Sequence, residues 1–152
     1  MNQNLSNFIK VSRGINRQSS GSTAVGNIVD MAGFEGCVFI AVGSSLTEGS
    51  TNVTLRARAS TASGGTYVSI AGSDCESTGM ATGSFNSKML VLDVYKPTKR
   101  YLRPVVAGAS SDVMHTRAIV AIQYGPRRPG SSGVGAASTF VAASKIVVGA
   151  TS

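Results

Sequence analysis

Side chains that commonly carry out enzymatic chemistry are scarce in this chain of 152 residues. One histidine, two cysteines and seven acidic residues form no cluster that could bind a metal ion. His115 follows Asp112 by three positions, and residues three apart in a strand point to opposite faces, so this acid does not orient this histidine. No phosphate-binding loop of the Walker type occurs. The sequence predicts a protein that is not an enzyme and has no metal ion or cofactor.

Large side chains and charged side chains are also rare. Tryptophan is absent, aromatic residues make up 6% of the chain, and charged residues make up 14%, against about 25% in typical soluble domains. Eighteen glycines and many serines and threonines take their place. A weakly charged surface of small residues is expected where neighbouring subunits cover much of it. A glycine-rich β domain with many turns would produce part of the same bias.

Long apolar runs are missing as well. No run approaches the ~20 residues that a membrane-spanning helix requires, and the N-terminal stretch lacks the apolar core of a signal peptide. The sequence therefore predicts a soluble protein made in the cytoplasm, with no membrane partner. Cys37 lies inside an apolar run and is interpreted as a small buried residue, whereas Cys75 lies in a turn rich in Gly, Ser and Asp. No disulfide is predicted from these two residues.

Residues 30–124 alternate short apolar stretches with turn-forming Gly, Ser, Thr and Asn. Turn signals recur every ten or so residues, and no convincing helical pattern occurs. This spacing predicts an all-β fold, a single antiparallel β-sandwich of jelly-roll-like type. The predicted strands cover residues 24–30, 34–42, 51–60, 66–71, 88–95, 99–107 and 113–124, and residues 72–87 are predicted to form a loose loop.

Two strands have informative patterns. The continuous apolar run at residues 34–42 predicts a strand that is buried on both faces. In the strand at residues 51–60, apolar side chains alternate with polar ones, so Arg56 and Arg58 are expected to face solvent or a partner. Pro104 lacks an N–H group, which predicts that its strand is an edge strand or carries a bulge.

The composition divides the chain into three parts. Residues 24–126 are predicted to form the sandwich, and residues 1–23 and 127–152 are predicted to form N-terminal and C-terminal arms. Both arms are polar and rich in small residues, with few apolar anchors, among them Phe140 and Ile146. Such segments would be disordered on their own. The sequence predicts that contacts with other chains order them, for example by adding a strand to a neighbouring sheet.

The net charge of +7 favours an acidic partner. Arginines outnumber lysines nine to five, and a planar guanidinium suits interfaces because it pairs with carboxylates and stacks on rings. The densest basic segment, residues 99–106, could equally protect an exposed sheet edge. No long basic run marks a nucleic-acid site, so nucleic acid is a minor alternative. The candidate interface residues are Arg56, Arg58, Lys99, Arg100, Tyr101, Arg103, Arg127, Arg128, Phe140 and Ile146.

Four segments resemble a pattern of small structural proteins of tailed bacteriophages. They are DMAGFEGCVFI at residues 30–40, the strand-turn-strand at 53–70, KRYLR at 99–103 and AIVAIQYGP at 118–126. In the family pattern, a D-x-x-G-[FY]-[ED]-G-x-x-F strand is followed by a hairpin, a K-R-Y-[LV]-R strand and a final apolar strand. The resemblance covers about residues 30–126 and excludes both predicted arms.

This resemblance implies a virion component assembled in the host cytoplasm, and specifically a capsid cement or decoration protein. Such proteins clamp neighbouring major capsid subunits, commonly as homodimers or homotrimers built on a β-sandwich. The implied partners are therefore the major capsid protein and further copies of the chain. A head–tail connector or tail component would share these properties. A basic β module that binds nucleic acid is the alternative from another class.

Overall fold

The computed structural model describes residues 8–15, 23–46, 51–80, 88–108 and 114–126. Within these ranges the chain forms ten strands and no helix, and hence no helix able to span a membrane. The strands pair only in antiparallel fashion. Two sheets pack against each other around one apolar core, which confirms the predicted all-β sandwich.

The strands lie in a four-stranded sheet and a six-stranded sheet. In chain order the strands are β1 Ile9–Ile15, β2 Thr23–Val25, β3 Val29–Asp30, β4 Phe34–Leu46, β5 Thr51–Ser60, β6 Val68–Ser69, β7 Cys75–Met80, β8 Met89–Tyr95, β9 Tyr101–Ala107 and β10 Met114–Pro126. The four-stranded sheet has the order β1-β10-β4-β8, and in the six-stranded sheet β2, β9, β5 and β6 follow one another, with β3 beside β9 and β7 beside β5.

The core lies between the two sheets and is filled mainly by Val, Leu, Ile and Ala. Strand β5 has the predicted alternation: its even-numbered residues point outward, and its inward side chains are fully or almost fully buried. Gln123 of β10 is also buried, and its amide Nε2 donates to the backbone oxygen of Asp30 over 2.7 Å. This hydrogen bond joins the two sheets. The inward side chains of β5 are Val53, Leu55, Ala57 and Ala59.

Strand β4 is buried on one face only, so the prediction of burial on both faces is wrong. Its inward residues Cys37, Phe39 and Ala41 are fully buried, but Val38 and Ile40 on the other face are partly exposed. The apolar run arises because both faces of β4 carry apolar side chains. Among the described residues, a second layer covers only one of these faces.

The prediction that Pro104 marks an edge strand or a bulge is wrong. Strand β9 lies between β5 on one side and the two short strands β2 and β3 on the other, and its register with β5 is unbroken. The neighbouring chain leaves the ladder between Val25 and Val29, opposite Pro104. There the N–H of Gly26 donates to the carbonyl of Pro104 over 2.8 Å. Because the neighbour is interrupted at this point, the missing N–H of Pro104 costs no ladder hydrogen bond.

Two other segments differ from the predicted organisation. Strand β7 pairs with β5 inside the range predicted as a loose loop, residues 72–87. Strand β1 lies inside the predicted N-terminal arm and pairs with β10, so residues 9–15 belong to the sandwich. Both segments carry few large apolar residues, and pairing with a long neighbouring strand outweighs their weak propensity. The predicted C-terminal arm, residues 127–152, lies outside the described residues.

Candidate partner interface

Four of the predicted interface residues lie together on the outer surface of the six-stranded sheet. Arg56 and Arg58 point outward from β5, and Tyr101 and Arg103 point outward from the adjacent strand β9. In the register of the two strands, Arg58 lies directly opposite Arg103, and Ser60 lies opposite Tyr101. We call this surface, formed by Arg56, Arg58, Tyr101, Arg103 and the nearby Tyr67, the basic face.

Arg103 is held in place by two groups. Its Nε donates to the backbone oxygen of Gly26 over 2.8 Å, and its guanidinium lies 5.6 Å from the centre of the Tyr67 ring. Tyr67 in turn donates from its hydroxyl to the backbone oxygen of Ser63 over 3.0 Å. Burial raises the pKa of Tyr67, so its ring stays neutral. The Arg103 charge is therefore fixed beside an aromatic ring, a geometry that stabilises a cation.

The two arginines of β5 differ in their surroundings. Arg56 has a partner: its Nε lies 3.4 Å from Oδ1 of Asp74, a Coulombic contact without hydrogen-bond geometry. Arg58 makes no ion pair and no hydrogen bond within the described part of the chain. It faces Arg103, a like charge, across the strand pair. Like charges at directly opposed positions destabilise a sheet, so this pair is a cost that an acidic partner would relieve.

Arg100 lies just before β9, and strict alternation along the predicted strand 99–107 would place its side chain on the same face as Leu102. Instead it is exposed and forms a bidentate pair with Asp30, with Nε–Oδ1 and Nη2–Oδ2 distances of 2.8 Å. Its guanidinium also lies 5.1 Å from the centre of the Tyr101 ring. Sequence alternation failed here because the strand begins at Tyr101 rather than at Lys99.

Asp30 connects this ion pair to the turn that starts β4. Its Oδ1 also accepts a hydrogen bond from the N–H of Ala32 over 2.9 Å. The guanidinium of Arg100 lowers the pKa of Asp30, and the N–H of Ala32 acts in the same direction. The turn itself is closed by the N–H of Phe34, which donates to Met31, and Gly33 adopts a positive φ of 85°. Glycine adopts this conformation without strain.

A shallow cleft of about 360 Å³ opens beside the Asp30–Arg100 pair at the end of the sandwich. Three cationic residues line it, against one acid, Glu35. Lys96 was missed by sequence reasoning because it lies in a predicted turn; its Nζ lies 5.1 Å from the centre of the Tyr95 ring. Its backbone is also left-handed, with a φ of 47°. The three cationic residues are Lys96, Lys99 and Arg100.

The remaining predicted interface residues, Arg127, Arg128, Phe140 and Ile146, lie outside the described residues. The described ranges contain no group of three His, Cys, Asp or Glu side chains that could hold a metal ion. Both cysteines are free thiols. Burial raises the pKa of Cys37 to about 12, so this thiol stays protonated and unreactive at neutral pH.

The acid sensitivity of the fold is expected to depend on Asp30. Its folded-state pKa is lowered, so the pair with Arg100 stabilises the protein above the unfolded-state pKa of about 3.9 and loses this effect as pH falls. In Asp30→Asn the amide oxygen can still accept from Ala32, but the charge is gone. Chemical denaturation from pH 7 to pH 2 should show a stability difference at pH 7 that vanishes in acid.

Arg100→Gln provides the matched control, because it removes the other half of the same pair and should show the same pH dependence. A difference between wild type and Asp30→Asn that persists unchanged at pH 2 would contradict the assignment.

Comparison of the sequence with models of known protein families finds no match, and no curated protein matches it. Three solved structures are similar in fold. The prophage-derived protein YomS of SPBc2 has 11% identity and a TM-score of 0.44, over 77% of this chain and 93% of YomS. The CBM22-1–GH10 modules of Clostridium thermocellum xylanase 10B, with xylohexaose bound, have 9% identity and a TM-score of 0.44.

The alignment with xylanase 10B covers 82% of this chain but only 26% of that chain. The third structure, Eiger TNF from S. frugiperda, has 8% identity and a TM-score of 0.42, over 82% of this chain and 96% of that chain. Because all three TM-scores are below 0.5, we infer nothing about the function of this chain from these proteins.

Proposed function

We propose that the protein is a non-enzymatic structural component of a tailed-bacteriophage virion, a capsid cement protein that clamps neighbouring major capsid subunits. The resemblance of residues 30–126 to phage structural proteins supports the virion role. Arg58 carries the binding part of the proposal. Its guanidinium is unpaired within the described residues, faces Arg103 and lies on a surface that also presents two tyrosines. An acidic patch on a capsid subunit would pair with these cations.

In this mechanism the sandwich lies across the junction of capsid subunits with the basic face against them. The terminal segments, residues 127–152 above all, contact neighbouring subunits. Each copy adds a modest number of hydrogen bonds and apolar contacts, and their repetition over the shell raises the barrier to opening. Homodimers or homotrimers would join adjacent binding positions and add avidity. The protein would be made in the host cytoplasm and reside in the mature capsid.

Arg58→Glu tests this surface because it changes stability and binding in opposite directions. In the isolated protein the new carboxylate lies opposite Arg103, so a repulsive cross-strand pair becomes attractive and stability should rise by about 0.2–1 kcal/mol. On the capsid the same carboxylate would face an acidic patch, so affinity should fall by about tenfold or more. Chemical denaturation measures stability, and co-sedimentation with capsids lacking the protein measures affinity.

Lys88→Glu is the matched control, because it makes the same change in net charge at the start of β8, away from the basic face. It should leave occupancy of capsids unchanged. Equal binding by Arg58→Glu and wild type would overturn the role of the basic face. Capsids that open at the same temperature with and without the protein would overturn the cement function itself.

A head–tail connector or tail component is the alternative within the virion. It would use the same sandwich and the same basic face. Copy number separates them, since a cement protein repeats over the whole shell, whereas a neck ring is a closed cyclic assembly of about a dozen subunits.

A nucleic-acid-binding module is the second candidate, because Arg56, Arg58, Tyr101 and Arg103 gather on one face. Stacking rings beside cations suit a single strand. This candidate predicts affinity for oligonucleotides that falls linearly with salt on logarithmic axes, through counterion release. Two observations weaken it: Arg56 already pairs with Asp74, and Arg103 already binds a backbone carbonyl.

A further inference from the structure

The outward surface of the four-stranded sheet is almost entirely apolar. The register of its four strands aligns the outward side chains in rows that cross the sheet, for example Val120, Ile40 and Val91 side by side. We call this surface the apolar face. Its side chains are Ile9, Val11 and Arg13 of β1; Ala118, Val120, Ile122 and Tyr124 of β10; Val38, Ile40 and Val42 of β4, with Gly36; and Met89, Val91, Asp93 and Tyr95 of β8.

This face is exposed to an extent that is unusual for a monomer in water. Met89 is 64% exposed, Tyr95 58% and Val91 54%. Scattered exposed apolar residues are common, but a continuous patch across four strands marks an interaction surface. The inward side of the same sheet shows the contrast, since its apolar residues are buried against the six-stranded sheet. The apolar face has the composition of a buried core surface, but no described part of the chain covers it.

The surface is also smooth. Tyr124 lies across Gly36 of the neighbouring strand and leaves no room for a side chain there. Its hydroxyl donates to Oδ1 of Asp93 over 2.7 Å. The ring thus crosses β4 and is held flat against the sheet by a hydrogen bond to β8. A flat apolar sheet surface is the kind that packs against another sheet at a spacing of about 10 Å.

Among the described side chains of the apolar face two are charged, and their positions select the partner. Arg13 lies on the edge strand β1, and Asp93 lies on the opposite edge strand β8. Arg13 is level with Val91, so Asp93 is one side-chain row away, about 7 Å along the strand direction.

We infer that a second copy of this chain covers the apolar face and forms a two-fold symmetric dimer. A two-fold axis that runs parallel to the strands places β1 of one copy over β8 of the other. Each Arg13 then lies within reach of the partner's Asp93, and two identical ion pairs flank an apolar centre. An axis across the strands would instead place β1 over β1, with each Arg13 against apolar side chains and no acid. The charges thus match a second copy in one orientation.

The small size of the face favours a weak association. Four strands of this length cover roughly 500 Å² per copy, so the dimer buries about 1,000 Å² in total. That area is at the lower end for a specific interface, and we expect a dissociation constant in the micromolar range. This inference stands on the sheet alone and does not depend on the virion function. A protein that dimerises but binds no capsid would overturn only the proposed function.

The test is the mass of the full chain in solution, measured by analytical ultracentrifugation across about 1–200 μM. Wild type should pass from monomer to dimer over this range. Val91→Arg should weaken the dimer by about 100-fold or more, because residue 91 is level with Arg13 and the new guanidinium then lies against the partner's Arg13 on both sides of the interface. Val68→Arg is the matched control: Val68 lies on a strand of the other sheet and is 56% exposed, and this variant should dimerise like wild type.

A charge exchange tests the orientation. Asp93→Arg alone should weaken dimerisation by about tenfold or more because two arginines then meet, and Arg13→Asp alone should do the same with two acids. The double variant should restore the wild-type constant to within about threefold. The inference would be overturned if wild type stayed monomeric throughout this range. That result is expected if residues 127–152 or a capsid subunit covers the face. A Val91→Arg variant that dimerises like wild type would overturn the inference as well.

Discussion

Truncation of Phe39 to alanine is expected to lower the free energy of unfolding by about 3–5 kcal/mol. Phe39 is fully buried at the centre of the core side of β4. Its partners across the neighbouring strands are Ala121 on β10 and Leu92 on β8. The small side chain of Ala121 cannot fill the space that the ring vacates, so most of the cavity should remain. In thermal unfolding the midpoint should fall by about 10–20 °C.

Ile40→Ala is the comparison for this prediction, because it shortens the next side chain of the same strand on the opposite, partly exposed face. Measured in dilute solution, it should cost less than half as much as Phe39→Ala. Equal losses for the two variants would contradict the one-sided burial of β4.

Gly26→Ala is expected to destabilise the fold by about 2–3 kcal/mol, a large effect for a single methyl group. A Cβ at this position would lie 2.6 Å from the carbonyl oxygen of Gly14 and 2.6 Å from Cγ of Pro104. The Gly14 oxygen already accepts the N–H of Asn27, and Gly26 itself bonds to the Pro104 carbonyl. Backbone groups on both sides must therefore move. Arg103 should also loosen, since it donates to the oxygen of Gly26.

Gly64→Ala provides the control for the extra methyl group. Nothing lies within 4 Å of a Cβ there, and the backbone is not left-handed. This substitution should be neutral or stabilise by up to about 1 kcal/mol by restricting the unfolded chain. Denaturation curves for the two variants compare them directly. A Gly26→Ala variant as stable as Gly64→Ala would show that the contact between β1, β9 and the β2–β3 connection is looser than described.

The sequence predicted best where the side-chain pattern and the burial agree. Strand β5 matches the predicted range at both ends, and the outward direction of Arg56 and Arg58 followed from alternation alone. The hairpin after it was also predicted, although the returning strand β6 is short. Alternation works here because one face meets the core and the other does not.

Prediction failed where pairing between distant segments decides the structure. Strands β1 and β7 have weak patterns of their own and form because β10 and β5 offer free edges. The position of Pro104 inside a sheet depends on a break in a neighbouring strand some 80 residues earlier in the chain, which no local pattern encodes. The exposure of the apolar face was not predicted, because a run of apolar residues does not indicate how many faces of its strand are buried.

Alternation predicted that Arg56 and Arg58 share one face of their strand, but their position beside Tyr101 and Arg103 follows from the pairing of β5 with β9. Sequence alone missed the partners that hold them. The ring beside Arg103 comes from Tyr67, and the acid beside Arg56 comes from Asp74 on a separate loop. These contacts matter because they leave Arg58 as the guanidinium of β5 without a partner among the described residues.

The copy number of this protein in purified virions tests the central claim most directly. Quantitative mass spectrometry against the major capsid protein gives this number. A cement protein repeats with the capsid lattice, so we expect copies in the hundreds per particle, in a simple ratio to the capsid subunits. About a dozen copies would place it in a neck or tail ring instead, and absence from the particle would contradict a virion role altogether.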